Sequence, residues 1–187
     1  VQAMVSPSTP LTDADLTKLS KPEVDQLLQS RVVDWLLGND DTKAANFVRK
    51  DGVLYGIDKE RALKHFYTQA LTGKTAQDEG SLTNFAYSGT GTSQPVYNAL
   101  FAKASAGEIA LDPMVVLGAI TALDSTKVAA AIQGYTDAMT PAQAAKVKGS
   151  VEARRGNLKA DFEALFTKVF QANGTLPSAQ AFTFNQW

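Results

Sequence analysis

Apolar residues recur at three- and four-residue intervals in several stretches of the chain, which is the spacing of one helix face. The first such stretch covers residues 22–37, with Pro22 in its first turn and Gly38 just after its last apolar position. A proline at the start and a glycine beyond the end are typical helix boundaries. One face of this helix is predicted to be buried, and it consists of Val24, Leu28, Val32, Trp35 and Leu36.

The helical spacing is interrupted between residues 47 and 57 by two short runs of β-branched, aromatic and aliphatic residues. The runs are Phe47-Val48 and Val53–Ile57, and Arg49-Lys50-Asp51-Gly52 lies between them. An Asp-Gly pair between two such runs favours a tight hairpin turn. The sequence therefore predicts a small β-hairpin that follows directly after a helix and a short polar segment.

The rest of the chain is helical in pattern apart from one long polar stretch. A helix is predicted over 96–107, and three more begin at Asp112-Pro113, Asp124-Ser125 and Thr140-Pro141. Residues 72–95 are rich in Gly, Ser and Thr and predict a long loop, which is uncommon unless it is functional or disordered. The N-terminal residues 1–11, rich in Ser, Thr and Pro, predict no regular structure.

These patterns predict a mainly α fold with a small β-hairpin. The helical domain covers residues 22–174, between an N-terminal extension (1–21) and a C-terminal tail (175–187). A chain of 187 residues is long enough to bury one sizeable core. The absence of cysteine excludes disulfides, thiolate metal sites and cysteine nucleophiles.

Charge and hydropathy remove two further classes of function. The net charge is −1 and the Lys and Arg residues are scattered, so no nucleic-acid surface is predicted. No apolar run approaches the roughly 20 residues that span a bilayer. No signal peptide is visible at the N-terminus, so a cytoplasmic location is the default expectation.

Three residues whose side-chain oxygens can bind a metal ion lie close to the predicted hairpin in the sequence. Asp41 and Asn46 lie in the polar segment before it, and Asp58 follows its second strand. The hairpin is expected to bring Asn46 and Asp58 together. An amide and a carboxylate are ligands that suit Mg²⁺. A further carboxylate, that of Asp41, can orient an attacking hydroxyl and accept its proton, as phosphoryl transfer requires.

The order of these residues resembles the catalytic and metal-binding loops of the atypical kinases, which include the phosphatidylinositol 3- and 4-kinases and the bacterial HipA-like kinases. The resemblance covers residues 22–66, and it is carried by Gly38-Asn39, Asp41-Thr42-Lys43-Ala44-Ala45-Asn46 and Gly56-Ile57-Asp58. It implies a kinase C-lobe-like helical domain, with the catalytic and metal loops inside 38–58. It also implies that Asp41 is the catalytic base, and that Asn46 and Asp58 hold Mg²⁺ and the phosphates of ATP.

Two features depart from the family pattern. Thr42-Lys43 replaces the family's Arg-His pair. Lys43 is therefore the candidate for the positive charge on the γ-phosphate, both in catalysis and in cofactor binding, although an ammonium group is a flexible point charge. The residues before Gly38 predict helices and no strand-borne lysine, so the N-lobe is expected from a longer chain or a partner protein.

The first interpretation is a phosphotransferase that uses Mg²⁺ and ATP to modify a protein, lipid or small-molecule hydroxyl. A catalytically inactive, pseudokinase-like helical interaction module is the alternative, and a metal-dependent hydrolase is a further rival. The plainest alternative is a turn and a hairpin with no site. In that case Asp40 or Asp41 would bond the backbone amides of Lys43 or Ala44, and Asp58 would cap a helix beginning at Lys59.

Four other features are assigned no chemistry. The single histidine, His65, is predicted to be structural or at the surface, and Glu60 to be a solvated acid at a helix start. Gly73-Lys74-Thr75 lacks the upstream glycine of a phosphate-binding loop, and Ser88–Gly91 lacks the strand and helix of a dinucleotide site, so both predict loop.

Overall fold

The computed structural model describes residues 8–12, 15, 18–39, 41–59, 62–63, 66 and 95–186. These residues form one three-stranded antiparallel sheet and five α-helices. The strands are β1 (Thr9–Pro10), β2 (Phe47–Lys50) and β3 (Val53–Gly56). The helices are α1 (Lys21–Leu37), α2 (Pro95–Ser105), α3 (Pro113–Ala122), α4 (Ser125–Thr136) and α5 (Pro141–Ala172). The mainly helical class with a small β element is confirmed.

The helix boundaries follow from local hydrogen bonds. The backbone N–H of Ser20 donates to the Glu23 carboxylate at 2.8 Å, which satisfies one of the donors at the start of α1. Gly38 ends α1 with a φ of 62°, the left-handed conformation that costs glycine little. Asp112 and Asp124 accept backbone N–H bonds at the starts of α3 and α4. The helix starts predicted at these two residues are confirmed.

Helix α5 is the centre of the helical half, since it contacts α1, α2, α3 and α4. The predicted buried face of α1 packs here. Trp35 is only 8% exposed, and its indole Nε1 donates to Asp161 of α5 at 2.8 Å. The guanidinium of Arg154, also on α5, lies 4.7 Å from the centre of the Trp35 ring. The helix that leads into the polar segment is thereby fixed to the core.

The sheet is built around β2, with β3 on one side and β1 on the other. The hairpin register pairs Phe47 with Gly56 at one end and Lys50 with Val53 at the other. Asp51 and Gly52 have φ values of 52° and 76°, and positive φ at both central residues is what a type I′ turn requires. The predicted hairpin is confirmed.

The expectation of no regular structure at the N-terminus is wrong in part. Thr9 and Pro10 were expected to be irregular, but they pair with Arg49 and Val48 and add a third strand, and Leu11 after them is buried. The free edge of β2 supplies the hydrogen bonds that local sequence does not encode. In the tail, Phe182 and Phe184 are buried against the Phe166 ring of α5, although that segment shows no apolar period.

Several sequence features lie outside the described residues: Asp40, Glu60, His65 and almost all of the predicted loop 72–95, with Gly73-Lys74-Thr75 and Ser88–Gly91. In the part of the chain that the structure describes, no single helix has the length and apolarity to cross a membrane. Only α3 and α4 taken together pass that test, and they meet at a bend of 69°.

Candidate functional site

The polar segment after α1 begins with the left-handed turn at Gly38 and reaches Asp41 three residues later. The Asp41 carboxylate is mostly buried and pairs with the Lys43 ammonium at 3.2 Å, while Lys43 itself is about half exposed. An ion pair open to solvent on one side contributes little free energy. Lys43 is therefore free to exchange Asp41 for another anion, such as a phosphate, at small cost.

Asn46 closes the polar segment. It ends a 3₁₀ turn (Ala44–Asn46), is 3% exposed, and its Nδ2 donates to the backbone carbonyl of Asp41 at 2.8 Å. The five-residue interval between Asp41 and Asn46 thus forms a closed loop. Because Nδ2 is used in that bond, Oδ1 is the side-chain acceptor that remains, and it accepts no hydrogen bond from the residues described.

The hairpin brings Asp58 next to Asn46 along the backbone. The Ile57 N–H donates to the Asn46 carbonyl at 2.8 Å, which extends the β2–β3 ladder by one position. Asp58 follows with a φ of 53°, a conformation that non-glycine residues adopt at a cost and that aspartate tolerates better than most. Its carboxylate makes no hydrogen bond or ion pair within the described part of the chain.

The bond from a backbone amide to the Asp41 carboxylate, which a plain turn would provide, is not found among the described residues. The 3₁₀ turn begins at Lys43 without a side-chain cap, and the partner that the structure gives the Asp41 carboxylate is the Lys43 ammonium. The backbone amides that Asp58 would cap at the start of a helix, those of residues 60 and 61, lie outside the described residues.

A magnesium site at Asn46 and Asp58 would need few ligands from the protein. Among the described residues, no three or more His, Cys, Asp or Glu side chains gather in a way that could hold a metal. Mg²⁺ usually takes one or two carboxylates and completes its six ligands with water and phosphate oxygens. Asn46 Oδ1 and the Asp58 carboxylate match that need, and their convergence on one cation stays a prediction.

A buried cluster beside this loop was missed at the sequence level. Asp34 of α1 is 2% exposed, and it accepts hydrogen bonds from Asn39 Nδ2 at 2.9 Å and from the Tyr97 hydroxyl at 2.7 Å. The Lys59 ammonium donates to both of its carboxylate oxygens, at 2.8 and 3.0 Å. The available signal was a pair of charged residues, Arg31 and Asp34, on the apolar side of α1.

Tyr97 is locked as a neutral donor in this cluster. Burial first, and then the negative charge of Asp34, raise the pKa of Tyr97 well above its usual value. The Arg31 guanidinium lies 4.8 Å from the centre of the Tyr97 ring, and the Phe47 ring meets the same ring edge-on. The Tyr97 hydroxyl therefore stays protonated at neutral pH and serves as a hydrogen-bond donor to Asp34.

An open groove of about 280 Å³ runs beside the Asp34–Lys59 pair. Its walls come from α1 and from the end of β3, namely Gln29, Ser30, Val33, Asp34, Gly56 and Lys59. Gly56 leaves room for the lysine, because a Cβ there would lie 2.7 Å from Lys59 Nζ and 2.9 Å from its Cε. The Lys59 side chain passes over the Phe47 ring, with Nζ 5.2 Å from the ring centre.

Comparison of the chain with protein-family models, with curated proteins and with solved structures finds no match in any of the three.

Proposed function

We propose that this chain is the helical lobe of a kinase-like phosphotransferase that uses Mg²⁺ and ATP to modify a hydroxyl of a protein, lipid or small molecule. The observation that supports this most is the double role of Asn46. Its side-chain Nδ2 donates to the backbone carbonyl of Asp41, and its backbone carbonyl accepts from the Ile57 N–H. One buried residue therefore joins the loop that carries the proposed base to the loop that carries the proposed metal ligand.

Each residue has a distinct task in this proposal. Asp41 orients the acceptor hydroxyl and takes its proton, and Lys43 moves from Asp41 to the transferred phosphate. Asn46 Oδ1 and the Asp58 carboxylate hold the cation. The cation, when bound, neutralises charge on the phosphate oxygens. The left-handed backbone of Asp58 supports a role in a site, because such conformations concentrate where function requires them.

The other half of the nucleotide cleft is expected from an N-lobe in a longer chain or in a partner protein. We therefore expect this chain alone to bind ATP with Mg²⁺ weakly at best. Tight ATP binding by the isolated chain in calorimetry would contradict that expectation.

Metal binding tests the site in the chain as it stands. Mn²⁺ replaces Mg²⁺ at oxygen sites and broadens the NMR signals of nearby amides, so a titration should broaden residues around Asn46 and Asp58 first. Asp58→Asn should remove this broadening. Asp51→Asn is a matched control, because Asp51 is on the same hairpin and has the same left-handed φ, 52° against 53°. Broadening that is centred elsewhere, or that survives Asp58→Asn, would refute the site.

Asp41→Asn separates catalysis from metal binding. In the chain joined to its N-lobe, this variant should lose phosphotransfer while the Mn²⁺ broadening at Asn46 and Asp58 remains. Full phosphotransfer by Asp41→Asn would show that Asp41 is not the base.

An inactive helical interaction module is the second candidate, and the Thr42-Lys43 pair favours it. Thr42 is fully buried, and its hydroxyl finds no hydrogen-bond partner within the described part of the chain. Lys43 is then the one member of this pair that can reach a phosphate. This alternative predicts metal binding at Asn46 and Asp58 without phosphotransfer, even in the presence of the N-lobe.

A further inference from the structure

We propose that Asp34 is a positioning residue that holds both loops of the candidate site in register. Its carboxylate binds Asn39, which opens the loop leading to Asp41, and Lys59, which directly follows Asp58. The meaning of this for metal binding rests on the proposed function, whereas the anchoring of the two loops does not.

The carboxylate is itself fixed from the helical half of the molecule. Asp34 is 2% exposed on α1, and the Tyr97 hydroxyl of α2, 63 residues away in sequence, donates to its Oδ2 at 2.7 Å. A buried carboxylate that lost its partners would be strongly destabilising, so its place in the fold is well determined. The loops are therefore positioned by Asp34.

Asp34 holds the first loop by two bonds of different kinds. The Asn39 side chain donates to Asp34 Oδ1 at 2.9 Å, and the Asn39 backbone N–H donates to the backbone carbonyl of Asp34 at 2.9 Å. Asn39 follows the left-handed Gly38, so the direction in which the chain leaves α1 toward Asp41 is set at this point.

The second loop is held on either side of Asp58. Before it, the Ile57 N–H is bonded to the Asn46 carbonyl, and after it, Lys59 reaches both oxygens of Asp34. The lysine reaches them through a defined path over the Phe47 ring and past Gly56. Asp58, which has no partner of its own in the described residues, is thus placed by its two neighbours.

Two substitutions disturb the Lys59 anchor in different ways without touching Asp41, Asn46 or Asp58. Lys59→Met removes the ammonium and keeps most of the side-chain length. Gly56→Ala keeps the ammonium but displaces it, because the new Cβ would stand 2.7 Å from Nζ. Lys50→Met is the matched control, since it removes the same charge from the same hairpin outside the cluster.

The test measures hydrogen exchange of the Ile57 amide and Mn²⁺ affinity in the full chain. We expect Lys59→Met and Gly56→Ala to speed Ile57 exchange more than exchange in α5, and to weaken Mn²⁺ binding by about 10- to 100-fold, the usual effect of losing a residue that supports a metal ligand. Lys50→Met should change neither. A residue that served only the general stability of the fold would not shift the metal affinity.

The outcomes separate this proposal from the proposed function. If the unsubstituted chain binds no Mn²⁺, the metal site is wrong, and faster Ile57 exchange in Lys59→Met still supports the anchor. If the chain binds Mn²⁺ and Lys59→Met binds it equally well, the positioning role is wrong, whatever the exchange rate. Unchanged Ile57 exchange in both variants also overturns the proposal.

Discussion

Replacing Trp35 by alanine is expected to remove a large share of the stability of this domain. The indole is 8% exposed and lies between α1 and α5, where its Nε1 donates to Asp161. Truncation of a buried Trp or Phe to alanine costs about 3–5 kcal/mol through lost transfer energy and the cavity. That loss includes the cation–π contact of the Arg154 guanidinium, which lies 4.7 Å from the ring centre and contributes about 0.5–2 kcal/mol. We therefore expect a loss of about 3–5 kcal/mol.

Urea unfolding measures this loss. The substitution removes one of the two tryptophans and so changes the fluorescence signal, and unfolding is therefore followed by circular dichroism. With a slope of about 2–3 kcal/mol per molar urea, the midpoint should fall by about 1–2.5 M. Trp35→Phe keeps an aromatic ring and loses the hydrogen bond to a carboxylate, so it should cost about 1.5–3 kcal/mol.

Val33→Ala is the control on the same helix, because Val33 is 39% exposed and a surface substitution usually changes stability by less than about 0.5 kcal/mol. A loss below about 1 kcal/mol for Trp35→Ala would mean that the α1–α5 contact does not carry the stability that the burial of its ring indicates.

Two further substitutions test the turn and the sheet edge. Gly52→Ala should cost about 1–2 kcal/mol in urea unfolding, because φ is 76° although nothing lies within 4 Å of the added Cβ; a neutral effect would refute the left-handed turn. Hydrogen bonds from Thr12 and then from Arg49 hold the pKa of Asp15 at about 2. For Glu23, burial is the largest single effect and raises the pKa. The hydrogen bonds from the Ser20 backbone N–H and from Arg49 together outweigh burial, so the pKa of Glu23 is lowered. Lowered carboxyl pKa values stabilise the fold above the unfolded-state values of 3.8 and 4.5, and that stability is lost as pH falls toward 2. The melting temperature should therefore fall as the pH is lowered toward 2, and it should fall less in Arg49→Met than in the unsubstituted protein. An equal dependence of the melting temperature on pH in the two proteins would contradict the role of Arg49.

The elements that could be predicted from the sequence are those whose cause is local. The bounds of α1 follow from Pro22 and Gly38, and the hairpin follows from Asp51-Gly52, because each of these residues acts on its own backbone. The interval between Asp41 and Asn46 is local in the same sense, since a single side-chain bond closes it. Spacing along the chain is enough to find such features.

The remaining features depend on partners that are distant in sequence. Strand β1 exists because β2 has a free edge, and nothing in Thr9-Pro10 itself indicates a strand. Asp34 is inward-facing because Tyr97 and Lys59 reach it, 63 and 25 residues away. The apolar spacing of α1 predicts Asp34 only as one polar residue in a helix, because the donors that make its burial tolerable lie far away in the sequence.

The contact between Trp35 and Asp161 has a consequence for synthesis of the chain on the ribosome. The two residues are 126 positions apart, so α1 is complete long before its partner in α5 has been translated. At 5–20 residues per second, about 6–25 s separate the two residues. Throughout that interval the nascent α1 must keep its apolar face without the helix that covers Trp35 in the finished fold.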